Sequence, residues 1–187
     1  MKKFILLILA ACISFSNVKS QITKGNWMVG GNGLFSSQSE NLRGTNVNGL
    51  NIGLLPGIGY FFIDKFAGGA RISFYYNKLQ YNGVASSSTQ LGLGPFLRYY
   101  FLNPENRVNL FAETYYQYAF ISGSNLKSYN ENTFRFSAGP VVYFNSSVGL
   151  EFTLNYELFN SNSTNTDAKT FFLGIGFQIH LESIRNE

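Results

Sequence analysis

The sequence is poor in cysteine, histidine, proline and charge. Its 187 residues include one Cys, one His and four Pro, and charged residues make up 13%. A single cysteine excludes a disulfide framework. One histidine with no cluster of cysteines around it leaves no metal-ligand spacing, so neither a metal nor another cofactor is expected. The charged fraction is about half the roughly 25% of soluble domains, too low for a surface solvated throughout. Long apolar runs are also missing. The longest, Phe4 to Ile13, falls short of the roughly 20 residues a membrane-spanning helix needs. What the chain has instead is 19 Phe, 12 Tyr and 19 Gly, an aromatic content that excludes disorder. Its length suits one domain.

Residues 1–20 read as a cleaved secretory signal peptide. Lys2 and Lys3 make the basic start, Phe4 to Ile13 the apolar centre, and Val18 and Ser20 the small-residue cleavage pattern before Gln21. A short buried helix or membrane anchor is the plainer alternative. Leu9-Ala10-Ala11-Cys12 also resembles a bacterial lipoprotein box, which would lipidate Cys12. Cleavage before Gln21 takes Lys2, Lys3 and Lys19 from the 14 Lys and Arg, leaving 11 against 10 Asp and Glu, a net charge of +1. No electrostatic case for nucleic acid remains. A mature chain without cysteine suits an oxidising compartment.

After Gln21 the hydrophobic period is two rather than 3.6. Residues 26–36, 48–61, 66–78, 89–101, 107–121, 132–144, 147–160 and 168–181 alternate, each long enough for a tilted membrane strand of about 9–11 residues. In each segment one face carries no charge. The other carries Arg71, Arg98, Glu113, Arg135, Glu151 and Glu157 among Gly, Ser, Asn, Tyr and Gln. A soluble sandwich or lipocalin would bury its apolar face and solvate its polar one with many charges. Here the apolar face is the large one. Phe66, Tyr99, Phe101 and Phe144 mark one end; Phe74, Tyr76, Tyr118, Phe120, Phe134 and Tyr156 mark the other; Ile52, Leu54 and Leu110 lie between. Aromatic girdles around an aliphatic belt are the pattern of a barrel in lipid.

Short connections at 62–65, 102–106 and 145–146 alternate with longer polar loops at 37–47, 79–88, 122–131 and 161–167. Three short turns and four long loops fit an all-β, eight-stranded, antiparallel up-and-down transmembrane β-barrel with both termini at the periplasmic side. Closure is required in lipid, where unpaired amides have no partner. Pro56, Pro95 and Pro140 fall inside strands, and local bulges are expected there because each removes a ladder donor.

Three stretches carry a family resemblance: Gln21-Ile22-Thr23-Lys24-Gly25-Asn26-Trp27, Gly59-Tyr60-Phe61-Phe62-Ile63-Asp64-Lys65, and Gly94-Pro95-Phe96-Leu97-Arg98-Tyr99-Tyr100-Phe101. With them the chain resembles the small outer-membrane β-barrel proteins of Gram-negative bacteria, in the version common among Bacteroidetes. Its strand count is similar to that of the OmpX and OmpA-barrel type. The resemblance spans residues 21–187. It implies the cell outer membrane as location, with outer-membrane lipid and the barrel assembly machinery as partners. The last strand, Phe171 to Leu181, resembles the aromatic assembly signal of such proteins, but a polar tail, Glu182 to Glu187, follows it.

No catalytic residues are expected. A Ser–His hydrolase or acyl transferase would have to use His180, whose nearest serine in sequence is Ser183. The plainer role for His180 is to cap the lumen. The inward charges Arg71, Arg98, Glu113, Arg135, Glu151 and Glu157 are read as a polar cluster that plugs the lumen. Arg98 with Glu113 is the favoured pair, because the two flank one short turn. The same groups lining an ion path is the competing reading. An eight-stranded barrel encloses only enough room for side chains, which favours the plug. The expected function is a non-enzymatic, structural or surface-interaction role through the polar loops. A narrow channel for small or apolar solutes and a lipid-modifying enzyme are the alternatives.

Overall fold

A computed structural model of the chain describes residues 22–42, 45–124, 126–161 and 166–182. The expected signal peptide, Cys12 and Ser183 lie outside the described residues. The strands are β1 (Trp27–Leu42), β2 (Thr45–Ile63), β3 (Phe66–Tyr81), β4 (Val84–Tyr100), β5 (Val108–Gly123), β6 (Leu126–Tyr143), β7 (Val148–Ser161) and β8 (Thr166–Leu181). Each pairs antiparallel with the next, and β8 returns to β1, closing an eight-stranded barrel.

The strands form because alternation matches the pleat. In β4, burial alternates strictly from Leu91 to Tyr100: the leucines and Tyr99 face out, while Phe96, Arg98 and Tyr100 face in. Leu54, Leu110 and Phe152 are likewise on the outer surface. Aromatic pairs knit that surface near its rims, with Trp27 and Tyr60 rings 5.1 Å apart and Phe134 and Phe136 4.8 Å apart. Small inward residues make space: a Cβ on Gly53 would meet the Tyr75 ring at 2.7 Å, and one on Gly59 would meet Phe96 at 2.8 Å.

Two sequence expectations need correction. The first concerns the polar stretches, which are ladder rather than loop. β1 and β2 stay in register up to Leu42↔Thr45, and β3 and β4 up to Tyr81↔Val84. Strand also covers the described parts of 122–131 and 161–167, apart from the turn residue Ser124. Cross-strand side chains support these ribbons. Ser39 Oγ donates to Asn48 Oδ1 at 2.8 Å, and Asn160 Nδ2 to Asp167 Oδ1 at 2.6 Å. Losing the apolar stripe does not end a strand when the backbone ladder and polar pairs continue. Asn82 and Gly83 turn the β3–β4 hairpin with φ of 46° and 81°, the two positive values that a two-residue turn matching strand twist demands.

The second correction concerns the prolines, where no bulge forms. The β4–β5 register runs Leu93↔Tyr118 and resumes at Phe96↔Tyr115 without a shift, skipping Gly94 and Pro95. The β2–β3 ladder passes Pro56 and the β6–β7 ladder passes Pro140 in the same way. The register shifts fall elsewhere, at Phe61/Ile63 and Ile121/Gly123. Glycine explains the difference. A Cβ on Gly94 would lie 1.6 Å from the Tyr116 carbonyl oxygen, and one on Gly139 would lie 1.8 Å from that of Phe152. The neighbouring strand closes in on the glycine, so the missing proline donor is accommodated without an extra residue. Gly94→Ala is therefore expected to lower stability by about 1–3 kcal/mol, the usual range for overpacking, read from denaturant unfolding of the reconstituted protein.

Candidate functional site: the barrel interior

The interior is built in three tiers. At the short-turn end it is closed by apolar and aromatic side chains. Residues 22–26 tuck beneath the barrel: Gly25 N donates to the Phe61 carbonyl and Lys65 N to the Ile22 carbonyl, both at 2.9 Å. Lys24 N also bonds Asp64 Oδ1 at 2.8 Å. Ile22 is thereby fully buried and packs in one cluster with Phe61, Tyr100, Phe111 and Tyr143. His180 sits in the same layer at 0% exposure. The rings of Phe61 and Tyr143 lie 5.5 Å from its own, and that of Tyr100 6.2 Å away. Among the described residues neither of its ring nitrogens has a hydrogen-bond partner. No serine hydroxyl among the described residues hydrogen-bonds to it.

The second tier is ionic. Arg98 and Glu113 are direct cross-strand partners on β4 and β5, and Arg98 Nη2 lies 2.7 Å from Glu113 Oε2. Arg71, on β3, also reaches Glu113, with Nη1 2.6 Å from Oε1 and Nη2 3.1 Å from Oε2. It crosses β4 diagonally, its guanidinium beside the Phe96 ring; its own register partner is Gly94, which lies nearer Gln117 than Glu113. From the other side of Arg98, Nη1 and Nη2 pair with Glu151 on β7, the latter at 3.2 Å from Oε2. The chain Arg71–Glu113–Arg98–Glu151 crosses the lumen from β3 to β7. All four members are buried. Aromatic rings and the Tyr100 hydroxyl surround them, while Arg71 Nε has no hydrogen-bond partner among the described residues. The Arg98 guanidinium carbon stands 4.1 Å from the Phe111 centroid and that of Arg71 4.9 Å from Phe96. The Tyr100 hydroxyl accepts from Arg98 Nη1 at 3.2 Å and donates to Gln178 Oε1 at 2.6 Å. Fixed bidentate geometry of this kind is what planar guanidinium groups supply.

Arg135 and Glu157 form a separate cross-strand pair higher up, on β6 and β7, at 2.5 Å. They are more exposed than the lower network. Six charges were legible as inward; their division into a four-member chain and a pair was not. Glu131 was missed, because the polar stretch 122–131 reads as a loop. It is a buried, inward residue of β6, two positions from Thr133 and four from Arg135. Extending the period of two upward through Thr133 would have found it. Ser73 and Gln117 were missed as well. Gln117 Nε2 donates to Ser73 Oγ at 2.6 Å, roofing the network from above.

The third tier is a cavity of about 650 Å³ above the ionic chain, lined by Tyr75, Asn77, Gln90, Glu131, Arg135 and Asn155 among others. Polar amides, hydroxyls and paired charges face it. This arrangement can bind a small molecule by hydrogen bonds; it holds no cluster of His, Cys, Asp and Glu for a metal among the described residues.

No protein-family profile and no curated protein sequence matches the chain. Solved structures do. The outer membrane protein OprG from Pseudomonas aeruginosa is similar at a TM-score of 0.54 with 14% identity, covering 89% of this chain and 100% of that one. The N-terminal β-barrel domain of Pseudomonas aeruginosa OprF has a TM-score of 0.47 with 14% identity over 84% of this chain and 98% of its own. Neisserial surface protein A has 0.48 with 13% identity over 83% and 97%. What the chain shares with OprG is the fold, an antiparallel β-barrel whose strands close on themselves.

Proposed function

We propose that the protein is a non-enzymatic integral outer-membrane barrel of the Bacteroidetes version, sealed at its periplasmic end and presenting polar hairpins outside the cell. One observation carries the reading: the greasy and the charged sides are inverted relative to a protein in water. Between the aromatic rims the outer surface carries Leu, Ile, Val and Phe without a charge, while four ionised side chains are buried within. An apolar belt of this extent in water would be an aggregation surface; in acyl chains it is the stable arrangement. Outer-membrane lipid is then its solvent, and the assembly machinery meets the last strand, Phe171 to Leu181.

The closed floor argues for a structural or surface-interaction role over a channel. Ile22, Phe61, Tyr100, Phe111, Tyr143 and His180 are all at most 1% exposed, and the ionic chain spans the lumen above them. Single-channel recording in planar bilayers tests this. The purified protein is expected to give no unitary openings. Uniform ohmic steps that vanish when the lumen is filled would overturn the sealed barrel and support a narrow solute channel. The isolated imidazole of His180 speaks against a lipid-modifying enzyme, and unchanged acylation of outer-membrane lipids in a His180→Ala strain is the corresponding expectation.

A further inference from the structure

The wall of the barrel is not equally closed all round. β1 and β8 share only six register partners, from Trp27↔Leu181 to Asn32↔Gly176, although β1 continues to Leu42 and β8 begins at Thr166. Above Asn32 and Gly176 each of these strands is paired on its other side alone, with β2 and β7. At the fork, Asn32 Nδ2 donates to the Ile175 carbonyl at 3.1 Å, a side chain taking up the ladder where it stops. The fork lies within the apolar belt, not above it. Phe35, Phe171 and Leu173, which flank the gap, are 72%, 66% and 82% exposed.

The interior cavity runs into this gap. Its lining includes Gly33, Leu34 and Phe35 from β1 and Leu173, Gly174 and Ile175 from β8. Phe35, Leu173 and Ile175 face outward by the strand alternation, so a space they share with Arg71 and Glu113 passes through the wall. One end of it is polar and inside; the other is apolar and lateral. Unpaired strand edges cost several kcal/mol per group in hydrocarbon unless something covers them. The cavity volume lies within the roughly 300–1,000 Å³ of small-molecule sites.

We infer that the β1–β8 seam is a lateral entry for a single-chain amphiphile, whose head group enters the polar cavity while its acyl chain lies between Phe35 and Leu173. The occupant is amphiphilic because the continuous lining changes from hydrogen-bonding to apolar along its length. Its head is uncharged or cationic, because the lining holds three arginines and four glutamates, so an added anion meets excess negative charge. A single chain is specified because the opening is bounded by two strands that reunite at Asn32 and Gly176. The inference rests on the bilayer reading above.

The experiment uses the protein reconstituted in phosphatidylcholine vesicles, with Trp27→Phe, Cys12→Ser and Tyr75→Trp placing one fluorophore in the cavity. The probe is a monoacylglycerol brominated at mid-chain. Saturable quenching of the cavity tryptophan is expected. Phe35→Cys with Leu173→Cys, residues that a continued register would place opposite one another, should abolish it on oxidation and restore it on reduction. Leu34→Phe should abolish it independently, since Leu34 faces inward and lines the cavity where it meets the gap. Absence of saturable quenching overturns the inference. So does quenching that survives Leu34→Phe, which would mean entry from the hairpin mouth. Disulfide-linked dimers on oxidation overturn it in favour of a second copy at the seam. Native Trp27, 43% exposed on the outer rim, separates this from failure of the bilayer reading: brominated phosphatidylcholine should quench it whatever the seam does.

Discussion

Glu113→Ala is expected to destabilise the barrel by about 3–5 kcal/mol, the cost of leaving a buried charge without its partner. The size follows from position. Glu113 accepts from both Arg71 and Arg98, and its loss leaves Arg71 without a carboxylate and Arg98 with Glu151 alone. The measurement is urea unfolding in phosphatidylcholine vesicles, followed by Trp27, the single tryptophan of the chain. Replacing the whole set together, Arg71→Met, Arg98→Met, Glu113→Leu and Glu151→Leu, is expected to cost less than Glu113→Ala alone, since apolar packing can substitute for a complete buried ion network. A loss for Glu113→Ala within about 0.5 kcal/mol, the usual range for a surface site, would show that the network is solvated and holds nothing.

Leu93→Arg is the second large effect. Leu93 faces out from β4 between the two aromatic rims and is 59% exposed. In water, an arginine at such a site would be nearly neutral. In a bilayer it is expected to cost about 2–4 kcal/mol near the midplane. Ser86→Arg, on the exposed hairpin of the same strand, serves as the control and should stay within about 0.5 kcal/mol. The same vesicle unfolding assay reads both. Equal effects at the two positions would remove the lipid reading of the outer surface.

The contrast between β4 and its hairpin shows what the sequence makes legible. From Leu91 to Tyr100 the strand alternates leucine or tyrosine with buried partners, and both its faces can be read from residue types. From Val84 to Gln90 no such stripe exists, because both faces of the hairpin meet polar surroundings. The turn pair Asn82-Gly83 was the available signal that the polar stretch 79–88 is two strands joined tightly. The Arg98–Glu113 pair was legible because a short connection sets their register. The Arg71–Glu113 contact was not. It depends on Arg71 running diagonally across β4 beside the Phe96 ring, a path visible only once three strands are aligned. The straight passage of Pro95 and Pro140 is hidden for a related reason, since it rests on glycines whose close approach is a property of the neighbouring strand. The incomplete β1–β8 ladder is more remote still. Each strand's own pattern is continuous there, and the fork arises from how the ring as a whole comes round.

That ring has a corollary for chain connectivity. Trp27 and Leu181 stand side by side in the ladder, while Tyr81↔Val84 ends a hairpin whose sixteen register partners run without interruption. A circular permutant that links residue 182 to residue 22 and opens the polypeptide between Asn82 and Gly83 would move the covalent break from the least stitched boundary to one of the two that are paired over sixteen uninterrupted positions.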